Sequence, residues 1–261
     1  MATESSAPSR TLTLAGIEVP RIGLGTNRLS STPENHAFLR DAVGAGLGHI
    51  DTAHTYSGGD SERTIGEALA PKPDGLLVAT KGGYSGSGDS ESLRAQIDQS
   101  FESLRTETID LYYLHRVDPE TPLETSLGAI AEYRDEGRIR EVGISAVDVD
   151  QIEAARQVVP IAAVQNHYNV ADRRYDDVVD YCEQNEIVFV SYYPLKGGGP
   201  PALGQVAESH HATTSQIALA WLLHRSPVTL PIPGTLSIDH LRENLAALEI
   251  ELSDDEFHAL S

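Results

Sequence analysis

Four residues in the first half of the chain have side chains that could act together on one small molecule. They are Asp51 in HIDTAHTY, Tyr56 five residues further on, Lys81 in VATKGG and His115 in LYYLHR. Taken alone, each has an ordinary reading. An Asp after a strand is commonly a turn or helix cap, a single His a hydrogen-bonded packing residue, and a single Tyr a surface aromatic. Lys81 is harder to dismiss, because the 19 basic residues comprise sixteen Arg and only three Lys (Lys72, Lys81 and Lys196). A surface lysine tolerates replacement by Arg. An ammonium packed beside a phenol does not, because a guanidinium is larger and stays protonated. A Tyr hydroxyl with a pKa near ~10 is a poor proton donor at neutral pH. A neighbouring ammonium stabilises the phenolate, so Lys81 is expected to bring Tyr56 closer to the working pH. Asp51 would hold that ammonium, and His115 would donate a hydrogen bond to a substrate carbonyl. The chemistry this predicts is proton delivery by Tyr56 to a carbonyl oxygen.

Such residues work only if the backbone brings them to one place. Short β-rich apolar runs alternate with helical patterns along the chain, which is the signature of a parallel sheet. Strands are expected at Arg21–Leu24, Gly48–Asp51, Leu76–Thr80, Ile109–Leu114, Glu141–Ser145, Ala162–Gln165, Ile187–Tyr192 and Thr229–Pro231. Helices are expected near Asn35–Ala45, Ser61–Leu69, Ser90–Leu104, Leu123–Glu136, Val149–Arg156, Arg174–Asn185, Gln216–Leu223 and Ile238–Ala247. Eight such units point to an α/β fold, a closed (β/α)8 TIM barrel, whose active site lies at the C-terminal ends of the strands. Asp51, Lys81 and His115 fall at the ends of the second, third and fourth strands, and Tyr56 in the loop after the second. Thr11–Leu14 and Ile17–Pro20 around Ala15-Gly16 read as a preceding β-hairpin. No linker or repeat divides the chain, so residues 11–261 are expected to form one barrel domain behind a disordered tail at residues 1–10. The stretch KGGGPPALG (196–204) reads as an active-face loop.

Composition narrows the functional classes. Acids number 39 against 19 bases, a net charge of −20 spread along the whole chain. At that density self-repulsion opposes folding in dilute buffer, whereas molar salt shortens the Debye length to about 3 Å and screens it. The acidic, Lys-poor composition is that of a halophilic protein from a salt-accumulating cytoplasm, and it argues against nucleic acid or anionic membrane as a partner. No apolar run approaches the ~18 residues of a membrane span. The single cysteine, Cys182, allows no internal disulfide and suits a reducing, cytoplasmic location. Nothing points to an obligate interface, so a monomer acting on a small molecule is expected.

The blocks DTAHTY, ATKGG, LYYLHR, VGIS, VQNHYN, SYYPL and IPGT…RENLAA follow one another in an order that resembles the aldo-keto reductase superfamily, from about Thr11 to Leu260. The chain looks like a short, haloarchaeal-like member. The resemblance implies a barrel oxidoreductase that reduces aldehydes or ketones with NADPH, NADH being possible, and it identifies Asp51, Tyr56, Lys81 and His115 as the catalytic tetrad. Glu62 and Gly66 of SERTIGEAL match the acid-and-glycine helix after the tyrosine. The resemblance further implies that Ser145 and Gln165 bind the nicotinamide carboxamide and that Tyr192 stacks on the ring. Leu195 and Gly197 would let backbone approach the pyrophosphate. Gly234, Thr235, Ser237 and His240 would surround the adenosine phosphate at the start of the last helix, with Ser237 as its N-cap, and Glu243 and Asn244 would face the adenine.

The sequence departs from the family at a few positions. Ala146 stands where an Asn often follows the strand-five serine. Gly234 and His240 stand where NADP-preferring members carry Lys and Arg, so the preference for NADPH is expected to be modest, with Arg242 contributing. The chain stops soon after ELSDDEFHAL, which implies an open substrate pocket without a C-terminal loop. Two other readings compete. His49, Asp51, His54 and His115 could be zinc ligands of a barrel hydrolase, but a strand-end lysine would repel the cation. A non-enzymatic cofactor-binding barrel is the other, but it would have no need of Lys81 beside Tyr56.

Overall fold

The computed structural model describes residues 9–261; the remainder of the expected tail lies outside the described residues. Strands β1 (Thr11–Leu14) and β2 (Ile17–Pro20) form the antiparallel hairpin expected from the sequence. Ala15 and Gly16 both have positive φ (52° and 72°), the primed two-residue turn that suits strand twist. Eight parallel strands follow: β3 (Leu24–Gly25), β4 (His49–Asp51), β5 (Leu77–Gly82), β6 (Ile109–Leu114), β7 (Ile139–Ser145), β8 (Ile161–His167), β9 (Val188–Tyr192) and β10 (Thr229–Pro231). Each pairs with its neighbour in sequence, from β3 through to β10. Backbone N–H groups of Gly23 and Gly25 then donate to Pro231 and Pro233 carbonyls (3.0 and 3.3 Å), which closes the ring.

The first barrel strand differs from expectation. RIGL has a strand-like composition, but Arg21 and Ile22 precede the ladder, which begins only at Leu24. The approach between Gly25 and Ile232 is so tight that a Cβ on Gly25 would lie 2.9 Å from the Ile232 carbonyl.

Helices α1 (Pro33–Gly44), α2 (Asp60–Leu69), α3 (Ser90–Leu104), α4 (Leu123–Asp135), α5 (Val149–Arg156), α6 (Asp176–Gln184), α7 (Ala202–Ser209), α8 (Thr214–Arg225), α9 (Ile238–Ala246) and α10 (Asp254–Leu260) surround the sheet. Two of these were not expected. α7 begins inside the Gly/Pro stretch read as a loop, and α10 forms from ELSDDEFHAL. In α10, Ser253 and Glu256 make a capping box, and Phe257 stacks on Trp221 (centroids 5.6 Å apart).

The period-two alternation of the strands divides the interior into two cores. Outward residues such as Ile50, Val78, Tyr112, Ile144 and Val164 pack under the helices. Inward residues including Leu77, Ala79, Leu111 and Val190 fill the lumen, where Leu14 and Val19 of the hairpin join them. The same alternation places Asp51, Lys81, Ser145 and Gln165 on the lumen face, each further along its strand than the apolar layer. α2 lies close against α3: a Cβ on Gly66 would lie 2.2 Å from the Ser103 carbonyl. From α2, Glu62 reaches the back of β5, where Thr80 donates to its carboxyl (2.5 Å) and burial pushes its pKa up. Glu62 and Gly66 therefore hold α2 against the barrel and stand apart from the cavity.

Candidate active site

Asp51 and Lys81 belong to adjacent strands in register, with Asp51 opposite Ala79, two residues before Lys81. Both side chains are buried, and Lys81 Nζ donates to Asp51 Oδ1 (2.5 Å) and to the Thr52 carbonyl (2.7 Å). Its remaining direction points to the Tyr56 hydroxyl at 3.5 Å. Burial pushes the Lys81 pKa down, but Asp51 and Tyr56 outweigh it and the net shift is upward, so the group is an ammonium. Gln165 donates from Nε2 to the other carboxylate oxygen, Oδ2, at 2.7 Å. Both Asp51 oxygens are thus committed.

Tyr56 is delivered by a tight loop. Ser57, Gly58 and Gly59 all take positive φ (52°, 67° and 92°), turning the chain at once into α2. Beneath this loop, the Thr26, Thr52 and Ser61 hydroxyls form a buried network, with Ser61 Oγ 2.7 Å from Thr52 and 2.9 Å from Thr26. Here the expectation of a lowered phenol pKa is corrected. Burial raises the Tyr56 pKa by more than Lys81 lowers it, so the hydroxyl keeps its proton. His115 packs edge-on to Tyr56 (centroids 5.8 Å) and against Tyr84 (4.8 Å). Burial first, then Lys81 and Arg116, drive its pKa down to about 2, so the ring is neutral, and its Nδ1 is buried without a partner.

These groups open into a cavity of about 690 Å³ that Tyr56, His115, Ser145, Gln165, Tyr192 and Gly234 help to line. Tyr192 stacks on His167 (5.6 Å, 16°), which fixes its plane as a cavity wall. Ser145 accepts a hydrogen bond from Arg116 (3.2 Å). A second depression of about 520 Å³ adjoins the first and shares Arg28, Leu195 and Gly234 with it. It is lined by Thr235, Ser237, His240, Glu243 and Asn244, and the Ser237 side chain caps α9 by accepting from His240 N–H (3.4 Å). The fold thus brings nearly every expected site residue onto one continuous trench. Two do not line it: Lys81 is fully buried behind Tyr56, and Gly197 stands to one side. Gly197 lies in a positive-φ turn (93°) against Ala171. Ala146 also has positive φ (58°), a conformation that Asn adopts more readily than Ala.

Arg28, Tyr84, Arg116 and Tyr193 also line the cavity and were not singled out from the sequence. Arg28 lies in GTNR, the loop after the first barrel strand, and Arg116 directly follows His115, so the strand-end rule would have reached both. Among the described residues no group of three or more His, Cys, Asp or Glu is placed to hold a metal, and Asp51 is occupied by Lys81. The hydrolase reading therefore has no ligand set among these residues.

The aldo/keto reductase family model matches residues 21–200 and 199–261. The chain belongs to the aldo/keto reductase family. It is 39% identical to an uncharacterised oxidoreductase of Schizosaccharomyces pombe, over 96% of this chain and 88% of that protein. It is 34% identical to pyridoxine 4-dehydrogenase of Escherichia coli, over 97% of each. A crystal structure of an aldo/keto reductase from Klebsiella pneumoniae in complex with NADP and acetate superposes with a TM-score of 0.87 at 28% identity, covering 97% of this reductase and 94% of that chain.

Proposed function

We propose that this reductase converts aldehydes or ketones to alcohols with NADPH, accepting NADH less well, and that Tyr56 is the general acid. The observation that carries the reading is the commitment of Lys81. Two of its N–H directions are held by Asp51 and the Thr52 carbonyl, and the third faces the Tyr56 hydroxyl on the cavity wall.

A dinucleotide suits the trench, since the α9 end offers a capped helix N-terminus and the Arg28 guanidinium, and the other end offers Ser145 and Gln165 beside the flat ring of Tyr192. NADP is the cofactor named in the Klebsiella relative's structure. When bound, a reduced nicotinamide supplies the hydride that reaches the carbonyl carbon. Tyr56 releases its hydroxyl proton to the carbonyl oxygen as charge develops there, and Lys81 stabilises the phenolate left behind. Neutral His115 orients the carbonyl by donating one hydrogen bond. Any preference for NADPH is small, because Arg28 is the one Lys or Arg among the residues lining the α9 depression, Gly234 brings no side chain, and Arg242 is exposed and paired with Asp239 (3.5 Å). Glu243 accepts from Thr213 (2.7 Å), which steadies the wall where an adenine would lie.

Tyr56→Phe should lower kcat/KM about 10²-fold or more, the contribution of a general acid, while NADPH binding measured by fluorescence titration persists. Near-normal turnover would overturn the assignment.

The same reading takes the protein to be a monomeric, cytoplasmic barrel adapted to salt. Its one thiol, Cys182, is buried, and no helix among the described residues is long and apolar enough to cross a membrane. The net charge of −20 should make the melting temperature climb between about 0.1 and 1 M KCl, as the Debye length shrinks from about 10 to 3 Å. A melting temperature that ignores KCl would remove the salt-adapted reading.

A further inference from the structure

Arg116 is an unpaired cation in a chain crowded with carboxylates. Its Nη1 donates to the His115 carbonyl (3.1 Å) and to Ser145 Oγ (3.2 Å). Its Cζ lies 5.9 Å from the ring centres of both Tyr84 and Tyr192. All of these partners are neutral. Arg63, Arg94, Arg173, Arg174 and Arg225 each sit on a carboxylate, whereas Arg116 has no ion pair among the described residues. With 39 acids available in the chain, its position beside only neutral groups calls for a reason.

The cavity reverses the charge balance of the protein. The chain holds about two acids for each base, but the cavity is lined by Arg28, Arg116 and Lys196 against a single carboxylate, Asp51. That carboxylate is already bound by Lys81 and Gln165. The three cations stand at different places. Arg28 donates to the Gly234 carbonyl (3.4 Å), on the side shared with the α9 depression, and Lys196 lies 4.8 Å from the Tyr193 ring centre. Arg116 alone adjoins His115, where a carbonyl would meet the catalytic groups. Nη1 makes both of its hydrogen bonds, so Nε and Nη2 keep a free planar edge. That edge matches the two oxygens of a carboxylate.

We propose that Arg116 binds the carboxylate of the substrate, so that this enzyme prefers aldehydes and ketones carrying a carboxylate over neutral ones. The proposal deepens the reductase reading and rests on it. Tyr84 and Tyr192 flank the guanidinium and limit its swing. The anion is held while the carbonyl points to Tyr56 and His115.

The test compares matched pairs with NADPH: 4-carboxybenzaldehyde with methyl 4-formylbenzoate, and succinic semialdehyde with its methyl ester. Wild type, Arg116→Gln and Arg116→Lys are assayed in the same salt, and the acid-to-ester ratio of kcat/KM is read within each protein, so that general damage cancels. Wild type should favour the acids by about tenfold or more, the size of a charge-assisted hydrogen bond. Arg116→Gln should bring the ratio near one, chiefly by raising KM for the acids, and Arg116→Lys should restore part of it. Benzoate binding by calorimetry, which needs no turnover, should weaken about tenfold in Arg116→Gln. Esters reduced as well as acids by wild type, or a ratio unchanged in Arg116→Gln, would overturn the proposal while leaving the reductase intact. If wild type reduced no carbonyl but bound benzoate through Arg116, the reductase reading would fall and the anion site would stand.

Discussion

Two side chains of this barrel are cations with no exposure at all, and they lie toward opposite ends. Near the N-terminal ends of the strands, Arg21 donates to the carbonyls of Ser9, Leu223, Ser226 and Thr229 and to the Thr229 hydroxyl. No carboxylate is among them, and burial lowers its pKa to about 10, still well above neutrality. Toward the other end, Lys81 has a carboxylate within 2.5 Å, and its pKa is raised. A guanidinium spreads five donors in a rigid fork, so neutral carbonyls from the hairpin approach, the end of α8 and β10 satisfy it, and it ties those segments together. An ammonium is a compact charge with three donors. At Lys81, two are held so that the third meets the phenol. Neutral partners therefore suffice where the charge only joins segments, and a counterion appears where the charge stands beside the Tyr56 hydroxyl.

The largest effect expected from breaking this contrast is at Asp51. Asp51→Asn leaves a buried ammonium uncompensated, so urea stability should fall by about 3–5 kcal/mol. The double variant Asp51→Asn with Lys81→Met should recover most of that loss while remaining inactive. If the double variant is no more stable than the single, charge pairing is not what stabilises this layer.

Arg21→Met removes a charge that had no anion, so it should cost less, about 3 kcal/mol, from carbonyls left partly unpaired. The kcat/KM should change little, because Arg21 touches no residue of the cavity. A large loss of activity with stability preserved would show that the two ends are coupled, contrary to the comparison.

His49 gives the effect smallest at neutral pH and most easily titrated. It shares the lumen face with Asp51, neither ring nitrogen has a partner, and burial pulls its pKa to about 4. The unfolded chain takes up the proton near pH 6.5 and the folded one resists it, so this residue leaves stability unchanged above ~6.5 and erodes it as pH falls towards 4. The slope is at most about 1.4 kcal/mol per pH unit. In His49→Asn the urea-derived stability should lose one proton's worth of that slope across the window. An identical slope would mean that the ring is not held neutral.

Much of the fold is legible in the order of the residues. Short apolar, β-rich runs mark the strands of Asp51, Lys81 and His115, and caps such as Ser237 mark helix starts, because both signals are local in the chain. The misses are also physical. Arg21 and Ile22 read as barrel strand on their β-rich composition, but the Arg21 N–H continues the hairpin by donating to the Arg10 carbonyl (2.9 Å), its side chain is a clamp, and the barrel ladder starts only at Leu24. α7 is hidden by the Gly and Pro residues that open it, whereas α10 is legible in principle, since its acidic first turn and its Ser253–Glu256 capping box are both helix-start signals.

The sequence by itself determined which residue types reach the strand ends around the cavity, because a strand end and a lysine in a Lys-poor chain are facts of order and composition. Only the tertiary structure decided their protonation and partners. Gln165 reaches Asp51 across 114 positions of sequence, burial overrides Lys81 in setting the Tyr56 pKa, and Arg116 has no carboxylate partner among the described residues. Hydrogen-bond partners and desolvation depend on what surrounds a group in space, and in a closed barrel that surrounding comes from strands far apart in the chain.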